Sequence, residues 1–114
     1  MLDLELAEWT VKYIDAHLSA TLSVKVIAAA KGVDLSDLER AFRRTYHVTI
    51  KSSIDERLKE VVIDRLRAGD CRACDLAEEL GFNTDQEFHR WIKRMFCVSF
   101  RQLKARYQGS RKRD

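Results

Sequence analysis

Two stretches of this chain decide its fold: AAAKGVD at residues 28–34, and AEELGFN at residues 77–83, 49 positions later. In both stretches an alanine stands four residues before a glycine, and a helix-capping Asp or Asn stands two residues after it. The second copy then has one extra residue, and the correspondence continues at an offset of 50. The chain therefore contains an internal repeat, which is the most informative feature of the sequence.

Side-chain type agrees along the two copies. The matched residues are Leu38, Arg40, Phe42, Arg43, Arg44, Tyr46 and Val48 to Ile50 in the first copy, and Phe88, Arg90, Ile92, Lys93, Arg94, Phe96 and Val98 to Phe100 in the second. Each copy predicts a helix, a short turn at the glycine and a second helix, and the small alanine lets the second helix cross close over the first. This is the helix-turn-helix pattern, in which the second helix enters the DNA major groove.

Apolar residues recur with a 3.6-residue period along almost the whole chain and predict seven helices. The first carries a stripe from Leu6 to Leu18, the second runs from Val24 to Lys31 behind a Ser23 cap, and Asp34 and Thr49 cap the third and fourth. The fifth helix runs from about Arg72 to Leu80. A capping-box pattern opens each of the last two helices: Asn83 with Gln86 for the sixth, and Ser99 with Gln102 for the seventh, which ends at Tyr107. The chain has no proline and only four glycines, which excludes hairpin-rich sandwiches and barrels.

We therefore predict an all-α, homeodomain-like fold with two helix-turn-helix subdomains joined by a central linker helix. The predicted boundaries are 1–48 for the first subdomain, 49–68 for the linker helix, 69–107 for the second subdomain and 108–114 for a mobile basic tail. A helix over residues 51–68 would span roughly 27 Å at 1.5 Å per residue. Successive major-groove faces lie roughly 34 Å apart, so one chain could hold both second helices in adjacent major grooves.

Composition excludes several protein classes. Hydrophobic residues make up 46% and charged residues 34% of the 114 residues, which is typical of a globular domain. The longest apolar run is five residues, Val26 to Ala30, whereas a membrane span needs about 20. No N-terminal stretch resembles a signal peptide, and three cysteines argue against a disulfide framework. We predict a cytoplasmic, nucleoid-associated protein with no membrane partner.

Basic residues concentrate in the second half of the chain. The formal net charge is +3 in total, −1 over residues 1–57 and +4 over residues 58–114. Residues 88–113 contain nine basic side chains and no acidic one. Such a run is either a solvated helical face with a frayed tail or a surface that faces phosphates, and charge alone does not decide between them.

The sequence resembles the DNA-binding domain of the AraC/XylS family of bacterial transcription regulators over about residues 8–107. The most specific stretch is DLAEELGFN at 75–83, followed by FHR at 88–90, IKR at 92–94 and VS at 98–99. The first copy matches more loosely, and the family commonly has glycine where His47 and Cys97 stand and proline where Phe100 stands. A chain of this length fits a stand-alone member without the usual ligand-sensing domain, and equally a part of a longer regulator.

Candidate DNA contacts come from the face of each second helix that lies opposite the apolar stripe. By the resemblance, the base-reading residues are Ser36, Glu39, Arg40, Gln86, His89 and Arg90. The candidates for phosphate contacts are Arg43, Arg44, Lys93, Arg94 and Arg101, with the helix N-termini at Ser23 and Ser99 as additional donors. Any one of these residues could be an ordinary solvated surface residue, but the repeat favours function, most clearly for the two arginines Arg40 and Arg90.

Other chemistry has little support in the sequence. Cys71 and Cys74 form a C-x-x-C pair, but no second pair stands at a spacing that would complete a zinc site, so we predict no metal and no cofactor. A thiol pKa can fall at a helix N-terminus, which would suit a redox role. This is the less favoured interpretation of the pair. No nucleophile, base and orienting group occur together, so the chain is not predicted to be an enzyme.

The predicted function is sequence-specific binding of double-stranded DNA by a transcription regulator, which is a monomer if the chain is complete. The resemblance also implies contact with RNA polymerase. The rival prediction is a degenerate helix-turn-helix pair that binds a protein, and Glu39, Glu87 and the slightly acidic first half favour it.

Overall fold

The computed structural model describes the backbone of residues 2–111 and the side chains of residues 2–107. Within that part, seven α-helices and no strand are present, which confirms the all-α prediction. The helices are α1 (Asp3–Ala16), α2 (Val24–Lys31), α3 (Leu35–Tyr46), α4 (Ile50–Ala68), α5 (Ala73–Leu80), α6 (Asp85–Phe96) and α7 (Phe100–Arg111). The chain divides into two compact units, Met1–Arg57 and Leu58–Asp114, and the division falls inside α4.

Three helix ends differ from the sequence prediction. Helix α1 ends at Ala16, because the backbone leaves helical geometry at His17, and Leu18 lies beyond it. Helix α6 is capped by Thr84 instead of Asn83, since the Thr84 hydroxyl accepts the backbone N–H of Glu87 at 3.1 Å. Helix α7 continues past Tyr107 to Arg111, which shortens the predicted tail, and residues 112–114 lie outside the described part of the chain.

The two glycine turns have the same geometry, as the repeat predicts. Gly32 and Gly81 adopt left-handed φ angles of +75° and +86°. In each turn the residue after the glycine donates its N–H to the carbonyl of the alanine four residues before the glycine, over 3.1 Å in the first copy and 2.9 Å in the second. This is the Schellman arrangement, which satisfies the last carbonyls of α2 and α5 and redirects the chain into the next helix.

Each unit has its own apolar core. In the first unit α3 packs against α1 and α2, and in the second unit α6 packs against α5 and α7. The largest fully buried side chains include Ile14, Ile27, Leu38, Phe42, Ile50 and Ile54 in the first unit, and Leu58, Leu66, Leu76, Phe88, Ile92 and Leu103 in the second. These residues lie on the apolar stripes that define the helices, so burial of one stripe leaves the opposite face of α3 and of α6 in solvent.

Helices α3 and α6 both end on a residue other than glycine in a left-handed conformation. The φ angles are +64° at His47 and +63° at Cys97. Their backbone N–H groups donate to the carbonyls of Arg43 at 2.8 Å and Lys93 at 2.9 Å, so each residue closes its helix. A side chain at such a φ angle costs of order 1 kcal/mol relative to glycine.

Replacing His47 or Cys97 with glycine is therefore expected to stabilise the protein by about 1 kcal/mol, because glycine carries no Cβ penalty there. This should raise the thermal midpoint by roughly 4 °C, measured by circular dichroism. Gly32→Ala is the matched control in the opposite direction, since an added Cβ at Gly32 meets no atom within 4 Å and only the φ angle opposes it. A lower midpoint for both glycine variants would contradict the assignment of strain to these helix ends.

Candidate nucleic-acid interface

Helix α3 is oriented by its cap and by its buried stripe. The Asp34 carboxylate accepts the backbone N–H of Ser36 at 3.0 Å and starts the helix, as predicted. Leu38, Ala41 and Phe42 are buried against the rest of the first unit. The opposite side leaves four predicted contact residues exposed: Ser36, Arg40, Arg43 and Arg44.

Helix α6 repeats this arrangement in the second unit. Phe88, Trp91 and Ile92 are buried, and the aromatic ring of Phe82 from the glycine turn packs 5.4 Å from both Phe88 and Trp91. The exposed side carries Gln86, His89, Arg90, Lys93 and Arg94. The His89 ring also stands edge-on to Phe100 at 6.3 Å, which places it against the first turn of α7.

Glu39 differs from the other five predicted base-reading residues. It is half-buried, and its Oε2 atom is buried with no hydrogen-bond partner in the described part of the chain. The other five residues, Ser36, Arg40, Gln86, His89 and Arg90, are exposed. The helical period puts Glu39 at the margin of the apolar stripe, which agrees with its partial burial.

The basic side chains of the two units differ in their partners. Arg40 Nη1 lies 3.3 Å from Asp37 Oδ1 on the same helix, and Arg44 Nη1 lies 3.4 Å from Asp3 Oδ2 on α1. In the second unit, Arg90, Lys93, Arg94 and Arg101 form no ion pair with any described residue. Among the candidate contacts, two arginines of the first unit are therefore partly neutralised, whereas those four cations of the second unit have no ion pair within the described residues.

Sequence reasoning did not identify Asp37 and Asp3 as neighbours of the candidate site. Asp37 stands three residues before Arg40, a spacing that brings side chains together on a helix and could have indicated this pair. Asp3 lies 41 residues from Arg44, and only the packing of α1 on α3 brings them together.

Two helix N-termini beside the recognition helices are capped as predicted. Ser23 accepts the backbone N–H of Val26 at 3.3 Å at the start of α2. Ser99 and Gln102 form a reciprocal capping box at the start of α7, with bonds of 3.2 and 3.0 Å. Arg101 is exposed in the first turn of α7, beside the N–H groups that the helix leaves unpaired.

Cys71 of the C-x-x-C pair does not resemble an activated thiol. Burial raises the pKa of the Cys71 thiol, and the nearby cations Lys104 and Arg65 offset only part of that effect. Cys71 also precedes Arg72, the N-cap residue of α5, so it lies outside the helix. Among the described residues, no cluster of His, Cys, Asp or Glu could hold a metal ion, and no helix is long and apolar enough to cross a membrane.

Comparison with known proteins identifies the family. A sequence model described as a helix-turn-helix domain matches residues 16–106, most of the chain. The chain belongs to the AraC/XylS family. It is 30% identical over 86 residues to the regulatory protein SoxS of Escherichia coli K12, a match that covers 75% of this chain and 80% of SoxS. SoxS of Salmonella typhimurium is 28% identical over 92 residues, covering 81% of this chain and 86% of that protein.

The fold of this AraC/XylS member is also found in a solved structure. The C-terminal domain of AraT, a response regulator from Geobacillus stearothermophilus, superposes with a TM-score of 0.80 at 19% identity, covering 87% of this chain and 83% of that one. The two chains therefore share the same helical fold. The relatives come from bacteria, which fits the bacterial origin that the resemblance implies.

Proposed function

We propose that this AraC/XylS member binds double-stranded DNA sequence-specifically through α3 and α6 and thereby regulates transcription. One observation carries the proposal: an exposed arginine occupies the same repeat position in the second helix of each helix-turn-helix, Arg40 in α3 and Arg90 in α6. An ordinary surface residue need not be the same in both copies. An arginine that makes the same contact from each recognition helix is expected at the matched position.

The proposed base contacts follow from donor and acceptor chemistry. Arg40 and Arg90 would each bind guanine O6 and N7 through two guanidinium donors, a contact worth roughly 1–3 kcal/mol of discrimination. The Gln86 amide suits adenine, and the Glu39 carboxylate would accept from cytosine N4. Ser36 and His89 complete the proposed base-reading set. The proposed phosphate contacts are Arg43, Arg44, Lys93, Arg94 and Arg101, which position the helices without reading sequence.

We further propose that one chain occupies two adjacent major grooves. Helix α4 has 19 residues and is therefore about 28 Å long, close to the roughly 34 Å between major-groove faces. Each predicted subdomain would then supply the recognition helix for one groove. A monomer would suffice to occupy both grooves. Contact with RNA polymerase, which the family resemblance implies, is the proposed route from binding to regulation.

The test is enrichment from a random duplex library at two salt concentrations, with wild-type protein beside Arg40→Ala and Arg90→Ala. We expect a bipartite motif whose parts lie about one helical turn (10–10.5 bp) apart, with each variant losing its own part. Retention should fall steeply with salt, because phosphate contacts release counterions. Absence of both enrichment and salt-dependent retention would contradict DNA binding.

The second candidate function is a protein-binding module on the same two helix pairs. It is favoured by the acidic partners of the first unit, since Asp37 and Asp3 partly neutralise Arg40 and Arg44, two of the arginines proposed to contact DNA. The library experiment separates the two functions, because a protein-binding module enriches no duplex in either salt concentration.

A further inference from the structure

We propose that Asp37 is a positioning residue that sets the specificity of DNA reading by Arg40. The inference rests on the proposed function and assigns a role to a side chain outside the base-reading set. Asp37 holds the Arg40 guanidinium over the exposed face of α3 and weakens its attraction to phosphates. Discrimination between cognate and non-cognate DNA then depends on an acidic residue that touches no base.

The geometry of the pair leaves Arg40 able to read guanine. The contact joins Arg40 Nη1 to Asp37 Oδ1 at 3.3 Å, one helical turn apart, and both side chains are more than half exposed. Arg40 makes no other ion pair or hydrogen bond within the described residues. A guanidinium has five N–H donors, so Nε and Nη2 remain available for guanine O6 and N7 while Nη1 keeps its partner.

On non-cognate DNA, Arg40 would make a different contact. Without guanine at the right position, the long arginine side chain would turn to the nearest phosphate, which costs the contact with Asp37. The Asp37 carboxylate would also lie close to phosphate charge, and like charges at close range repel. Both effects oppose non-specific binding, whereas cognate binding keeps the pair and is affected less. The expected effect on DNA affinity is modest, since an exposed ion pair changes an affinity by about fivefold at most.

The second unit provides an internal comparison. Glu87 stands in the first turn of α6 at the repeat position of Asp37, and Arg90 stands at the position of Arg40. Neither Glu87 nor Arg90 has an ion-pair partner among the described residues. Removing the charge of Glu87 therefore changes the total charge and the electrostatics at the start of the helix as removing the charge of Asp37 does. It breaks no ion pair with an arginine.

The experiment compares Asp37→Asn with the matched control Glu87→Gln, using the full chain and the duplex selected by the wild type. Affinity is measured for that duplex and for a duplex with the Arg40 half scrambled. We expect Asp37→Asn to tighten binding to the scrambled duplex about threefold to fivefold and to lower the ratio of the two affinities. Glu87→Gln should tighten binding to both duplexes by the same factor, through charge alone, and leave the ratio of the two affinities unchanged.

Two further variants separate positioning from stability and charge. In an Arg40→Ala background, Asp37→Asn should no longer change the ratio, and Asp37→Glu should retain the wild-type ratio because it keeps the i,i+3 pair. Equal ratios for Asp37→Asn and Glu87→Gln, or an effect of Asp37→Asn that persists without Arg40, would overturn the inference. Failure of the wild type to select any duplex would instead overturn the proposed function.

Discussion

Phe88→Ala is expected to destabilise the second unit by about 3–5 kcal/mol, the range for removal of a buried aromatic ring. The Phe88 side chain is fully buried and sits 5.4 Å, centroid to centroid, from the rings of both Phe82 and Phe100. Its loss would leave a cavity where the glycine turn, α6 and α7 meet. The free energy of unfolding, measured by urea titration followed by circular dichroism, tests this expectation.

The neighbouring residue provides the control for Phe88. His89→Ala removes an exposed ring from the next position of α6 and should change the free energy of unfolding by less than about 1 kcal/mol. Because α6 also presents the proposed DNA contacts, Phe88→Ala should in addition weaken readout of the second half-site. A cost below 1 kcal/mol for Phe88→Ala would mean that the aromatic cluster does not hold α6 in place.

Arg90→Glu is expected to reduce affinity for the selected duplex by more than about 100-fold. The substitution removes a bidentate guanine contact, worth roughly 1–3 kcal/mol, and adds a carboxylate that repels phosphates. Arg90 is exposed and has no ion-pair partner among the described residues, so the reversal should not unfold the unit. Fluorescence anisotropy with the labelled duplex measures the loss.

Lys12→Glu is the matched charge control for Arg90→Glu. Lys12 is exposed on α1 and the variant has the same total charge, but its position is outside both recognition helices. We expect a loss of less than about tenfold, which reflects the general electrostatic term alone. If both reversals weaken binding equally, then Arg90 acts through net charge and the assigned guanine contact is wrong.

Local sequence signals determined the secondary structure and the repeat. The caps at Ser23, Asp34, Thr49 and Ser99 are all confirmed, because the side-chain oxygen of each accepts a backbone N–H of the first helical turn. Such caps act over three residues, and the apolar period acts along a single helix, so both can be read without knowledge of the fold. Where two capping residues were adjacent, as at Asn83 and Thr84, the sequence signal was ambiguous by one position.

The surroundings of the candidate DNA-contact residues were decided by tertiary structure. Glu39 lies at the margin of a helical stripe, and the folded chain buries one of its carboxylate oxygens, which the sequence pattern did not indicate. The Arg44–Asp3 ion pair joins residues 41 positions apart and exists only because α1 packs on α3. The Arg40–Asp37 pair is local, yet the same spacing at Glu87 and Arg90 forms no such contact. The sequence by itself thus determined which residues α3 and α6 carry, because helix formation and the repeat depend on local pattern. Only the folded chain decided which of their charges are free, because burial and ion pairing depend on the conformation of each side chain and on the elements that pack beside it.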